Sequence, residues 1–154
     1  MKSQRPMIRL SALVATLLTV TGCATGPVFQ KPEPVSSDSA QLYVYRVARM
    51  LGAATPHRVL IDGAQEPLSL PNGSWQRVVL PPGHHSVVVK DVFGVMYCGP
   101  SPLAVHLQPG ETAYVETEVL LLRSVGIYTD LRCTLKQQHE EAALKELQNL
   151  RAAQ

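Results

Sequence analysis

From residue 40 onward, apolar and polar side chains alternate in short runs separated by Gly, Pro, Asn and Asp. The runs are rich in valine, leucine and aromatic residues, and a helical period is present only near the C-terminus. This pattern predicts β-strands. About eight strands are expected, spaced as in a sandwich, over Gln41–Val47, Arg58–Ile61, Leu68–Leu70, Trp75–Leu80, His84–Lys90, Leu103–Leu107, Thr112–Leu122 and Ile127–Leu135.

The turn residues predict how these strands are connected. The first run has apolar side chains on both faces, which is typical of an inner strand. Asp62-Gly63 is a strong hairpin signal because both residues tolerate positive φ, and Pro81-Pro82-Gly83 and Gln108-Pro109-Gly110 predict further turns. We therefore expect a meander, with a hairpin across residues 108–110, folded into a small antiparallel β-sandwich over residues 40–135.

The pattern changes its period in the last segment, residues 136–154. Apolar side chains at Ala143, Leu144, Leu147 and Leu150 fall on one helical stripe, which predicts an amphipathic helix over Lys136–Arg151. The simpler interpretation is that this helix packs on its own sandwich. The alternative is that it docks on another protein or on a second copy of the chain.

The first twenty residues have a different character from the rest of the chain. Residues 1–9 carry three cations, and residues 10–20 are uncharged and mostly apolar. Eleven residues would rise only about 16 Å as a helix, roughly half of a bilayer's hydrocarbon core. The segment is therefore predicted to be a signal peptide rather than a transmembrane span.

The signal peptide ends in Val20-Thr21-Gly22-Cys23, which resembles the lipobox of bacterial lipoproteins. The resemblance implies cleavage after residue 22 and attachment of acyl chains, palmitate among them, to Cys23. Several chains would make the anchor stable, since one chain binds membranes only marginally. Ala24, which is not an aspartate, implies sorting to the outer membrane, facing the periplasm. The alternative is a plain signal peptide followed by a chance cysteine.

Residues 23–39 join this anchor to the predicted sandwich. The stretch contains three prolines and three serines, and its large apolar side chains are Val28, Phe29 and Val35. Such a composition predicts an extended tether with a reach on the order of 50 Å.

Charge narrows the class of partner. Removal of Lys2, Arg5 and Arg9 from the 14 cations would leave 11, against 12 acidic residues. A mature chain so close to neutrality has no basic surface that would favour nucleic acid. The expected partner is the membrane, through the acyl chains on Cys23, with another envelope protein as a further candidate.

Cys98 and Cys133 are the remaining thiols once Cys23 is acylated. In an exported protein they are expected to form a disulfide. Two free thiols, or a redox or metal pair, are the alternatives. The absence of Cys-x-x-Cys spacing argues against the last of these.

No catalytic, metal or cofactor site is expected from the other reactive residues. Adjacent strand residues His84 and His85 point to opposite faces, so one is expected to cap a turn while the other packs or is solvated. Glu116 and Glu118 share a strand face with Tyr114, but no nucleophile or oxyanion donor accompanies them. The serines lie in no Gly-x-Ser-x-Gly motif, and the other histidines are His57, His106 and His139.

Two stretches carry a family resemblance. Val59–Gly63 and Leu80–Val89 combine a strand ending in Asp-Gly with a Pro-Gly turn and alternating valines, and they resemble the PEGA-type β-sandwich repeat of surface-layer proteins. Together with Tyr43–Arg46, Asn72–Trp75 and Pro109–Val115, they resemble a family of small bacterial lipoproteins built on a domain of unknown function. The resemblance covers about residues 40–120, and it implies a prealbumin-like sandwich on a lipid anchor without catalytic residues.

The expected function is that of a non-catalytic, lipid-anchored structural or protein-interaction module of the bacterial envelope. The alternative is a lipoprotein that binds a small periplasmic ligand. A concave apolar pocket with converging polar groups would favour the ligand binder, whereas a filled sandwich with an exposed apolar patch would favour the interaction module.

Replacement of Cys23 by Ala is predicted to release the protein from the membrane fraction or to stall its processing, because alanine cannot accept an acyl chain. Fractionation followed by immunoblotting of parent and variant measures both effects. A variant that matures and stays on the membrane like the parent would show that Cys23 is not the anchor.

Overall fold

The computed structural model describes residues 24–90, 97–98, 102–126 and 128–154. For residues 97–98 and 128–130 it describes the backbone pairing but not the side chains. Residues 1–22 and Cys23, the predicted signal peptide and acylation site, lie outside the described residues. The described strands and helix are β1 (Ala40–Arg46), β2 (His57–Ile61), β3 (Leu68–Leu70), β4 (Ser74–Leu80), β5 (Gly83–Lys90), β6 (Tyr97–Cys98), β7 (Leu103–Leu107), β8 (Thr112–Val125), β9 (Tyr128–Gln138), α1 (Glu140–Leu147) and β10 (Arg151–Ala152).

The strands form two sheets. One contains six strands in the order β10-β4-β1-β8-β9-β6, and the other contains four in the order β3-β2-β5-β7. Pairing is mostly antiparallel, and the parallel pairs β1/β8, β4/β10 and β6/β9 make the six-stranded sheet mixed. The prediction of a mainly β sandwich is confirmed.

The connections between strands differ from the predicted meander. β4 pairs with β1 while β5 pairs with β2, so Pro81-Pro82-Gly83 carries the chain from one sheet to the other. Pro81 and Pro82 have no backbone N–H with which to close a hairpin. The Asp62-Gly63 turn is as predicted, with φ of 51° and 68°, and it precedes the antiparallel strand β3.

The expected hairpin between Leu103–Leu107 and Thr112–Leu122 is wrong. The turn at residues 108–111 bonds to the start of β1, where Gly110 N donates to Ser39 O at 2.7 Å and Gln41 N donates to Glu111 O at 2.9 Å. β8 therefore enters the six-stranded sheet parallel to β1, while β7 stays beside β5 in the other sheet.

The main core lies between the two sheets. Alternate residues of both sheets point into it, and none of its buried members is more than 8% exposed. Those members are Ala40, Leu42, Val44, Val59, Ile61, Leu70, Val87, Val89, Val105, Leu107, Ala113, Val115, Val119, Cys133 and Leu135.

A second core covers the outer face of the six-stranded sheet. Tyr43 and Tyr45 of β1 point outward from the main core, so that every residue of β1 is buried, as expected for an inner strand. The Tyr43 ring stacks on Tyr114 at 5.8 Å and meets the edge of Phe29 at 5.5 Å. The buried members are Phe29, Tyr43, Tyr45, Tyr114, Ala143, Leu147 and Leu150.

The C-terminal helix is shorter than predicted. It spans Glu140–Leu147, because β9 continues to Gln138 through its pairing with β8. After the helix, Arg151–Ala152 add to the edge of β4 as β10. The predicted stripe does pack on the chain's own sheet, where Ala143, Leu147 and Leu150 are at most 2% exposed.

The segment predicted to be a free tether is partly docked on the domain. Phe29 is 5% exposed in the second core, and its N–H donates to Leu150 O at 3.1 Å. Gly26 N donates to Ala152 O at 3.2 Å, and Val28 forms an antiparallel bridge with Arg151. Burial of one aromatic ring between Tyr43 and Trp75 holds the segment against the sheet, so its reach is much less than the extended length.

Leu147→Ala is predicted to lower the free energy of unfolding by about 2 to 5 kcal/mol, because it opens a cavity in the second core. Urea denaturation of the purified chain measures the change. Leu122→Ala removes the same atoms from a side chain that is 46% exposed, and it should change the free energy by no more than about 0.5 kcal/mol. Equal losses in both variants would show that the helix does not stabilise the domain.

Candidate functional site

The strands β8 and β9 continue past β1 as a hairpin, and the two-residue strand β6 flanks this hairpin at Arg132 and Cys133 of β9. β1 pairs with β8 as far as Tyr45 opposite Glu116, whereas β8 runs on to Val125 and remains paired with β9. Every β8 residue from Leu120 to Val125 is exposed. We call residues 120–125 and 128–132 the hairpin arm.

The arm exposes large apolar side chains on both of its faces. Leu120 is 38% exposed, Leu121 52%, Leu122 46% and Val125 55%. Alternation along β8 places Leu121 on the face of Val119, which belongs to the main core, and Leu120 on the opposite face. The register shifts between Leu121 and Arg123, so that Leu122 is an extra, bulged residue.

The arm emerges next to the N-terminal end of the described chain. Ala24 N donates to Asn72 O at 3.5 Å, and the Asn72 side chain exchanges two 3.0 Å hydrogen bonds with the backbone of Arg49. The Arg49 guanidinium lies 3.4 Å from the carboxylate of Glu118, two residues before Leu120. Ala24, the first described residue, is therefore linked through Asn72 and Arg49 to the base of the arm.

A buried arginine organises the loop at this end of the sandwich. Arg46, 2% exposed, donates to Thr55 O at 2.6 Å and to Gly52 O at 2.7 Å. Burial lowers the pKa of Arg46 to about 10, so the guanidinium remains charged at neutral pH. The loop that it holds presents Met50, which is 97% exposed.

The histidines do not gather into one site, although His84 and His106 are neighbours on adjacent strands. His85 Nδ1 lies 2.6 Å from Asp62 Oδ2 and Nε2 lies 2.8 Å from Pro81 O, so His85 joins two turns, as one of the adjacent pair was expected to do. The His84 ring instead packs on that of His106 at 4.4 Å. Among the described residues, no three His, Cys, Asp or Glu side chains come together as a metal site would require.

His57 occupies a different environment from His85. It is 2% exposed, and its Nδ1 lies 2.8 Å from Thr117 Oγ1. Burial, with the nearby positive charge of Arg46, lowers the pKa of His57 to about 3, so the ring is neutral. His139 precedes α1 and makes no side-chain capping bond.

The carboxylates considered for acid-base chemistry have structural partners. Glu116 is 7% exposed and accepts a hydrogen bond from Gln138. Burial raises the pKa of Glu116, the Gln138 bond opposes this, and the charges of Glu146 and Glu118 add to the rise. Glu146 in turn accepts from Tyr45 at 2.7 Å. This cluster links α1 to the sheet.

The serines singled out from the sequence are also dispersed. Ser74 is buried and donates to Pro71 O at 2.6 Å, whereas Ser124 is exposed on the arm. Ser86 donates its backbone N–H to Asp62 at 2.8 Å, and Ser101 lies outside the described residues.

The predicted disulfide partners lie opposite each other in the sheet. Cys98 of β6 is the register partner of Cys133 of β9, and Cys133 is fully buried. Neighbouring strands are about 4.8 Å apart, which is within the Cα separation that a disulfide spans. The side chain of Cys98 is outside the described residues, so the bridge remains a prediction that the register supports.

The grooves found on the described surface are open to solvent. One, of about 300 Å³, lies along residues 27–34 beside Tyr43 and Trp75. The other, of about 530 Å³, lies between the end of β1 and α1 near Lys145 and Glu146. Neither groove is lined by a buried residue of the main core.

Comparison of the chain with protein-family models, curated proteins and solved structures finds no match. The lipoprotein and PEGA-type resemblances therefore remain predictions from the quoted motifs. Within the described part of the chain, no helix has the length and apolar composition needed to cross a membrane.

The Cys98–Cys133 bridge predicts that neither thiol of the acylated chain reacts with iodoacetamide before reduction and that both react afterwards. Closing a loop of 35 residues is expected to stabilise the fold by roughly 4 kcal/mol, less any strain. Intact-mass spectrometry counts the alkylated sites. Stoichiometric labelling without reductant would contradict the bridge.

Asp62→Asn is predicted to remove a contribution to stability that falls as the pH rises from 5.5 to 8.5. Burial lowers the pKa of His85, but its bonds to Asp62 and Pro81 and the Asp62 charge outweigh burial, so the pKa is raised. Stability from the pair is therefore fully present below the unfolded pKa of about 6.5 and is lost as the pH rises through the folded value.

Urea denaturation at pH 5.5 and 8.5 measures the difference. The pair should contribute about 1 kcal/mol or less, because Asp62 is 46% exposed. Asparagine tolerates the positive φ at position 62. Because His57 is buried and neutral, it makes stability rise with pH. That contribution is the same in parent and variant, so it cancels when their pH differences are compared. An equal difference in parent and variant would contradict the assigned charge of His85.

Proposed function

We propose that the chain is a non-catalytic, lipid-anchored protein of the bacterial envelope that acts as a structural or interaction module. Its anchor is the acylated Cys23, and its location is the outer membrane, facing the periplasm. Support for the anchor comes from the charged and apolar regions of the leader and from the lipobox-like residues that end it.

The observation that carries the interaction module is the exposed apolar surface of the hairpin arm. Soluble proteins rarely leave several adjacent leucines in water without a partner for them. Leu120, Leu121 and Leu122 are consecutive and each is at least 38% exposed. The two grooves described above are open to solvent and lie outside the main core, so the described part of the molecule supports a binding surface better than an enclosed ligand site.

The proposal predicts that the arm is covered in the intact envelope. A photoreactive phenylalanine analogue at Leu121 should form covalent adducts after irradiation of cells, whereas the same analogue at Val79 should form few. Val79 is a matched control because it is also 52% exposed and lies opposite Gln41, at the other end of β1. Mass spectrometry of the purified chain reads both the adducts and the acyl groups on Cys23.

Absence of adducts at Leu121 would contradict the interaction module. Absence of acyl mass on the purified chain would contradict the anchor. A small periplasmic molecule retained by the chain after purification would favour the ligand-binding alternative.

A further inference from the structure

We propose that the hairpin arm docks on the lipid bilayer that holds Cys23, and that it sets the domain's orientation on that surface. This inference rests on the proposed lipid anchor and names the partner of the interaction surface. The partner is a phospholipid surface with an anionic component.

Position is the first argument. Residues 1–23 precede the described chain, and Ala24 lies at Asn72, which bonds to Arg49, which in turn pairs with Glu118. Acyl chains on the residue before Ala24 would therefore enter the bilayer beside the base of the arm. The docked segment from Gly26 to Phe29 leaves little free chain with which the domain could move away.

The two-faced exposure of the arm is the second argument. A protein partner that packs on one face of a two-stranded ribbon would leave the other face in water. The apolar region of a bilayer surrounds what enters it, so it covers Leu120 and Leu121 together, although they point to opposite faces. Met50, 97% exposed on the neighbouring loop, adds a further apolar side chain at the same end of the sandwich.

Charge is the third argument. Arg123 and Arg132 are exposed on the two strands of the arm, and Arg132 lies opposite Leu120 in the register. Cations beside apolar residues suit the headgroup layer, where their stems stay with the apolar groups and their charges meet lipid phosphates. Asp130 is the register partner of Arg123 and offsets one of these two charges, and Glu118 at the base is paired with Arg49, so Arg132 leaves the arm with a net positive charge.

The arm's dimensions determine how deep it docks. Its six β8 residues extend about 20 Å, less than the roughly 30 Å of the hydrocarbon core. Along the arm, the outer edge of β8 has no strand partner among the described residues, and its N–H and C=O groups cannot be left unpaired in hydrocarbon. We therefore place the arm across the headgroup region and the outermost part of the acyl chains, where lipid reaches both of its faces and water still reaches its backbone edges.

Tryptophan quenching tests the docking. The full chain is expressed with its leader, purified from membranes, and mixed with vesicles of phosphatidylethanolamine and phosphatidylglycerol that do or do not carry brominated acyl chains. Leu121→Trp should lose most of its added emission in brominated vesicles. Val79→Trp, equally exposed at 52%, should lose little. The parent, with Trp75 alone, provides the background, and Leu122→Trp replaces the reporter if Leu121→Trp lowers the melting temperature.

The mass of the same sample separates this inference from the anchor. If the chain is acylated and position 121 is not quenched, the docking is wrong while the anchor stands. If it is not acylated and position 121 is quenched, the docking holds without the anchor, and absence of both contradicts both. A second copy of the chain would give a different result. The emission from position 121 would then shift to the blue as the protein concentration rises in the absence of vesicles, and brominated vesicles would not quench it.

Discussion

The architecture depends on the need to bury both faces of β1. Ala40, Leu42 and Val44 face the main core, whereas Tyr43 and Tyr45 face the second core. Neither sheet-on-sheet packing nor helix packing alone could therefore cover the strand. The four-stranded sheet covers one face, and α1 with Phe29 covers the other. Because aromatic and leucine side chains contribute most of the free energy of such burial, both termini of the described chain are drawn onto the sheet.

Local patterns in the sequence were enough to locate the strands but not to pair them. Runs such as Leu68–Leu70 and Leu103–Leu107 have the predicted bounds because alternation and flanking turn residues act over short distances. The β7–β8 hairpin was predicted wrongly because the decisive contact, Gly110 N to Ser39 O, joins residues far apart in sequence. The short strands β6 and β10 have too few residues to produce a pattern, and their pairing with β9 and β4 depends on tertiary structure.

The candidate site was likewise predictable only in part from the sequence. The sequence correctly predicted that one of two adjacent histidines would cap a turn, because strand geometry sends their side chains to opposite faces. It did not predict the hairpin arm, since a strand predicted over Thr112–Leu122 does not indicate where its neighbouring strand ends. The exposure of the arm's leucines follows from the length of the neighbouring strand, which ends at Arg46. One feature of the sequence does indicate the arm. The predicted strand that begins at Thr112 is longer than the seven residues of β1, so part of β8 must extend beyond its neighbour.

Docking of the segment that follows Cys23 has a consequence for how the protein would meet other molecules. The hydrogen bonds of Gly26 and Phe29 lie within six residues of Cys23. The domain of an acylated chain would therefore stay close to the membrane surface, because little of the segment is free to extend. Its encounters would be confined to the plane of the membrane, where two proteins find each other by lateral diffusion. Surface density in the leaflet, rather than concentration in the periplasm, would then set the rate at which it meets a partner.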